Sequence, residues 1–119
     1  MKTLYVSAMA LLVSASCLAG APPKSTPELI AKGKAAFTVN CVICHGDNGD
    51  GNGPAGAAMN PKPRNFNVGQ FKGGGAADQL FKTISTGLPG TSMPAFGTLS
   101  EDDRWGLVYY VQSFKKSSK

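Results

Sequence analysis

Two cysteines three residues apart, with a histidine directly behind the second, leave this chain few ways to fold: Cys41-Val42-Ile43-Cys44-His45. C-x-x-C-H is the attachment signature of a c-type haem. Each thiol adds across one porphyrin vinyl group to give a thioether, and the imidazole coordinates the iron from one face. The spacing has a physical reason. On a helical turn, side chains three and four apart share a face, so Cys41, Cys44 and His45 can all reach one flat ligand. The rest of the chain then has to wrap it.

Residues 1–21 are not expected to belong to that wrap. Met1-Lys2 supplies a positive charge, Leu4 to Val13 a short apolar run, and Ser14 to Ala21 mostly small residues. This order is that of a secretory signal peptide, and the run is too short to span a membrane. One domain is expected over 22–119, 98 residues with a modest core that a buried haem would enlarge. Cleavage falls after Ala21 or, since Pro22 follows directly, after Ala19. Cys17 offers another end, lipidation of a new N-terminal cysteine, although Ser14 stands where a bacterial lipobox usually has leucine. Either route exports the domain to the periplasm; only lipidation at Cys17 would hold it at a membrane. Cys17 leaves with the leader and the other two cysteines sit in the motif, so no disulfide is expected.

Loss of Lys2 leaves eleven basic against seven acidic residues. That mild excess suits an acidic protein partner or an anionic surface. The basic residues are scattered without interleaved aromatics, which argues against nucleic acid.

The pattern along the chain is all-α. Thr26 reads as the N-cap of a first helix with Pro27 at its first position and Glu28 in its first turn; Ser25 with Glu28 is an alternative capping box. Ile30, Gly33, Phe37, Asn40, Cys41 and Cys44 form one stripe, which predicts a helix running straight into the motif. Gly33 is costly in a helix interior unless another helix crosses closely there. From Gly46 to Gly75 turn chemistry dominates, with one helical turn expected from Ala55 to Met59 before Asn60-Pro61. A loop region this long calls for something to wrap. Ala77 to Thr86 reads as a short helix stopped by Gly87. Ser100 caps a last helix whose first turn holds Glu101, Asp102 and Asp103, with Lys115, Lys116 and Lys119 at or beyond its end. No repeat and no convincing strand is visible.

A haem iron has two axial positions, and His45 is the sole histidine. The opposite ligand is therefore sought among methionines. Met1 and Met9 fall in the leader, leaving Met59 and Met93. Met93, 48 residues after His45 and in the proline-flanked loop Thr91-Ser92-Met93-Pro94, is the better placed; either could instead fill a gap in the core. A thioether ligand raises the reduction potential relative to two imidazoles, and an iron with both positions filled has no vacancy for substrate. The carbonyl of Pro54 is a candidate acceptor for the other ring proton of His45, and Arg64 or Lys62 for pairing with a propionate. Asn48 to Gly53 resembles the start of an EF-hand loop, but the twelfth position would be Met59 rather than glutamate.

Taken together, these stretches resemble a known family, the small monohaem class I c-type cytochromes of bacteria. The likeness covers about residues 26–114. It rests on Cys41 to Gly46 behind a helix, the loop Gly49-Asp50-Gly51-Asn52-Gly53-Pro54, Asn60-Pro61-Lys62-Pro63-Arg64-Asn65-Phe66, Gly90 to Phe96, and the Trp105-containing last helix. The resemblance implies a cytochrome c-like fold of three to four helices around one covalent haem c. In it the first and last helices cross near Gly33 and an aromatic such as Tyr109. It implies Cys41 and Cys44 as covalent sites, His45 as proximal and Met93 as distal ligand. It also implies a non-enzymatic electron carrier that meets redox proteins through short-lived contacts. Two other readings stay open: a haem sensor or minor peroxidase with a labile Met93, and a fixed electron-transfer subunit of a larger complex.

Overall fold

The computed structural model of the protein describes residues 20–68 and 71–115. All but the last two leader residues lie outside these, as do Cys17, Lys116 and Lys119. Four α-helices follow in order: α1 (Pro27–Asn40), α2 (Val42–His45), α3 (Ala77–Thr86) and α4 (Glu101–Phe114). A single 3-10 turn, Gly56–Ala58, lies between α2 and α3 where one helical turn is expected. Among the described residues there is no strand, and no helix is long and apolar enough to cross a membrane.

Local chemistry sets the helix ends. Thr26 is the cap of α1, its Oγ1 accepting from the Leu29 N–H at 3.2 Å, and Pro27 needs no hydrogen-bond partner in the first turn. Ser100 does the same for α4 through the Asp103 N–H at 3.1 Å, with three carboxylates in the first turn. Ala76 heads α3, where the Gln79 side chain reaches back to its N–H at 3.1 Å. Gly87, at φ 77°, ends that helix.

The helix expected to run unbroken into the motif is in fact two pieces. Cys41 departs to φ −117° between α1 and α2, although its N–H still bonds to the Phe37 carbonyl at 2.9 Å. The cause is local. The Asn40 side chain bonds back to the Ala36 carbonyl at 2.9 Å, a contact that competes with the helical backbone. The neighbouring Thr38, Val39, Val42 and Ile43 are β-branched and weak helix formers.

α1 and α4 cross at a pair of glycines. A Cβ built on Gly33 would stand 1.9 Å from the Gly106 carbonyl oxygen, and one on Gly106 2.5 Å from the Leu29 carbonyl oxygen. The close crossing expected at Gly33 is present, but its partner is Gly106 and not the aromatic Tyr109: only two bare backbones can approach this far. Tyr109 instead stacks toward Trp105 and donates its hydroxyl to the Pro23 carbonyl, tying the segment before α1 to α4. Aromatic contacts across the pair are made by Tyr110, edge-on to Phe37 at 5.2 Å, and by Phe114, tilted against the same ring at 5.5 Å.

The core is small. Phe37, Leu80, Ile84, Trp105, Leu107, Val108 and Val111 are buried. α3 is held against α4 by Phe81 stacked on Trp105 at 4.1 Å and by Arg104, which lies over Phe81 and donates to Ser85 Oγ at 2.7 Å. This packing leaves the other side of α3, the end of α1 and the loops around a common hollow.

Candidate functional site

The motif turn is held from behind by its own loop. A four-residue helix cannot satisfy its own last carbonyls. Those of Val42, Ile43, Cys44 and His45 accept, respectively, from the N–H groups of Gly46 (2.9 Å), Ala55 (2.9 Å), Gly53 (3.1 Å) and Gly51 (2.8 Å). Every carbonyl of α2 is thus bonded by the following loop. The approach is too close for side chains: a Cβ on Gly56 would stand 2.0 Å from the Cys44 carbonyl oxygen. The Gly-rich stretch that resembles an EF-hand start therefore serves as a cradle for Cys41–His45. Its Asp50 carboxylate is spent locally, accepting from the Asn52 N–H at 2.9 Å.

In front of the turn lies a cavity of about 530 Å³, inside the ~300–1,000 Å³ range of small-molecule and cofactor pockets. Cys41, Cys44 and His45 line it, and so do both candidate methionines, Met59 and Met93. The remaining walls are mainly apolar, with Leu80, Ile84, Leu107 and Val111 from α3 and α4. Met93 packs against the buried core as well. Its loop is closed on itself: Thr91 Oγ1 donates to the Leu88 carbonyl at 2.7 Å and accepts from the Met93 N–H at 3.2 Å, while the Leu88 N–H reaches the Met93 carbonyl at 3.4 Å. Side chain and backbone together fix the place of this thioether. Met59 donates its N–H to the Gly56 carbonyl at 3.1 Å.

His45 is gripped on two sides. Its Nδ1 is 3.4 Å from the Arg64 carbonyl oxygen, and its ring stacks on Phe66 with centroids 4.5 Å apart and planes 22° apart. A carbonyl can only accept, so Nδ1 carries the proton and Nε2 keeps its lone pair free for a metal. Burial lowers the imidazole pKa below its usual value, and the Arg64 carbonyl opposes this in part; the neutral, ligating form is favoured. Burial, aided by the neighbouring Cys44, pushes the Cys41 thiol up to about 12. Neither thiol is in a disulfide.

These residues fit a haem. Two free thiols, one imidazole with its proton on Nδ1 and two thioethers, of Met59 and Met93, share an apolar hollow. Lys62, Arg64 and Lys72 are the charged residues along its wall, with no carboxylate among them, which matches a ligand whose own charges are propionates.

The structure brings Cys41, Cys44, His45 and Met93 to one cavity, together with Met59. It does not give Pro54 the expected role: the acceptor beside His45 is the Arg64 carbonyl, ten residues further on, because the 51–55 amides are turned toward α2. Lys62, expected near a propionate, also donates to Asn52 Oδ1. Phe66 and Lys72 escape sequence reasoning, since nothing in their neighbours marks either as facing the motif.

Known proteins resemble this chain in sequence and in fold. The family model for cytochrome c matches residues 30–115. The FixP subunit of a cbb3-type cytochrome c oxidase from Azorhizobium caulinodans is 37% identical over 97 residues, covering 81% of this chain and 30% of that protein. A thiosulfate dehydrogenase from Stutzerimonas stutzeri is 28% identical over 108 residues, covering 80% of this chain and 33% of its own length. Among solved structures, the reducing HAO-like protein complex of Kuenenia stuttgartiensis superposes with a TM-score of 0.72 at 38% identity, over 80% of this chain and 47% of that one. The chain thus spans about a third of the length of the curated relatives it matches.

Proposed function

The chain belongs to the cytochrome c family, and we propose that it serves as a one-electron carrier whose haem iron is held by His45 and Met93. The observation that carries this reading is an apolar cavity lined together by Cys41, Cys44, His45 and Met93. The bound haem supplies Fe(III)/Fe(II) exchange. The protein's residues do the rest. Cys41 and Cys44 would each add their S–H across a vinyl group, the sulfur bonding one carbon and the hydrogen the other as the double bond is consumed, so the cofactor would stay through every turnover. The Arg64 carbonyl holds the His45 proton on Nδ1 and presents Nε2. Met93, on its closed loop, would supply the second ligand to the iron and keep small molecules out. The apolar walls exclude water, which favours the less charged ferrous state and keeps rearrangement on electron transfer small.

On this reading the protein has no substrate of its own and acts with other redox proteins after export, residues 1–21 being removed and 22–119 forming the domain. A second reading has a specific observation behind it. The relatives are several times longer than the matched region, and one is named as an oxidase subunit, another as a dehydrogenase. The same domain can thus act as a fixed electron-transfer part of a larger oxidoreductase.

Mass spectrometry of the protein recovered from the periplasm tests the assignment. The expected mass is that of residues 20–119 or 22–119 plus one haem, retained in denaturant. A chain without covalent haem would overturn the reading. A diacylglyceryl group on Cys17 would favour the tethered form.

A further inference from the structure

We propose that Phe66 is a positioning residue that sets the plane of the His45 imidazole. The inference rests on His45 being an iron ligand. A hydrogen bond from Nδ1 to the Arg64 carbonyl pins one point of the ring but leaves it free to turn about that line, since carbonyl acceptors tolerate a broad range of directions. A flat partner on the ring face removes that freedom. Phe66 is such a partner, at 4.5 Å and 22°.

Phe66 is itself immobilised. Its ring meets Phe37 of α1 at 6.3 Å, Phe71 at 5.8 Å and Phe114 of α4 at 6.0 Å. Its N–H bonds to the Gly49 carbonyl at 2.7 Å, and next to it the Asn67 side chain bonds to the Asn48 carbonyl at 2.9 Å. The segment 64–67 is therefore stitched to the loop that follows the motif. It delivers two constraints to one imidazole, a carbonyl at the edge and an aromatic face. Through Phe37 and Phe114 the orientation of the ligand is referred to the closely packed α1–α4 pair. The ring plane decides which iron orbitals the imidazole overlaps and hence how unpaired spin spreads over the porphyrin in the oxidised state.

The test uses the haem-loaded protein and the variants Phe66→Leu and Phe66→Tyr. Proton NMR of the oxidised form reads the four haem methyl shifts, and thermal melting reads stability. Phe66→Leu should change the order and spread of the methyl shifts, and Phe66→Tyr, which keeps the flat face, should restore them. Should Phe66→Leu not fold, Phe66→Met keeps the volume without the flat face and carries the same expectation. A lower melting temperature with an unchanged methyl pattern would make Phe66 a packing residue only and overturn the proposal. Absence of a shifted, haem-bound histidine in the wild-type spectrum would overturn the ligand assignment, and the positioning role with it.

Discussion

The backbone of Gly33 runs so close to that of Gly106 that a single added methyl would have nowhere to go, its carbon lying 1.9 Å from the Gly106 carbonyl oxygen. In an exposed helix interior Gly→Ala stabilises by about 1 kcal/mol. Here the sign reverses. Gly33→Ala has to push α1 off α4 and should cost about 3 kcal/mol or more. Denaturant unfolding of the haem-loaded variant checks this; an unchanged or raised midpoint would mean that the helices do not cross here.

If Met93 is the second ligand, its removal opens the sixth position. Met93→Ala should bind carbon monoxide in the reduced state and show a lower reduction potential, because a weaker-field water or no ligand replaces the thioether. Met59→Ala should leave both properties as they were. If the two variants exchange these behaviours, Met59 is the ligand.

Covalent attachment and folding are coupled. A vacant hollow of about 530 Å³ would cost on the order of 10 kcal/mol at ~24 cal/mol per Å³, comparable with the whole stability of a small domain. A variant with both Cys41→Ala and Cys44→Ala should therefore lose haem in denaturant and, once haem-free, show no cooperative thermal transition by circular dichroism. A sharp melt of the haem-free chain would show that the core of α1, α3 and α4 suffices alone.

Two exposed groups give stability opposite pH windows. The Asp50 carboxyl is held below its usual 3.8, chiefly by the Asn52 backbone N–H. The unfolded chain takes up that proton first, so the contribution is present above 3.8 and lost as pH falls through the lower folded value. Lys32, bonded to Asp102 at 2.8 Å, is raised above 10.5. Its contribution is present below 10.5 and lost as pH rises through the folded value. Melting temperature against pH should lose part of its acid slope in Asp50→Asn and part of its alkaline slope in Lys32→Met, both effects being small and the second weakened by salt. Effects at the opposite ends would contradict the assignments.

What could be read in the sequence was what the chemistry marks with a residue type. Thr26, Pro27, Ser100 and Gly87 announce helix ends because capping needs a hydroxyl, a missing donor or a positive φ. Cys41, Cys44 and His45 announce a haem because two thiols and an imidazole at that spacing form the attachment signature of the c type. The single histidine turned the search for a second ligand to methionine, and the proline-flanked loop favoured Met93 over Met59. The partner of Gly33 could not be read: a close crossing needs a second bare backbone, and the register between two distant helices leaves no local mark on Gly106. The acceptor for His45 was hidden for a related reason. Every residue has a carbonyl, so neither Pro54 nor Arg64 declares which one is turned inward. The break at Cys41 was masked by a stripe that continues across it, because a one-residue kink hardly disturbs three- and four-residue spacing.

The central claim is a closed iron held by His45 and Met93, and the absorption spectrum of the wild-type protein tests it most directly. The account predicts that the oxidised form shows the weak far-red sulfur-to-iron band and that the anaerobically reduced form is unchanged by carbon monoxide. Ready carbon monoxide binding, with no far-red band, would contradict it.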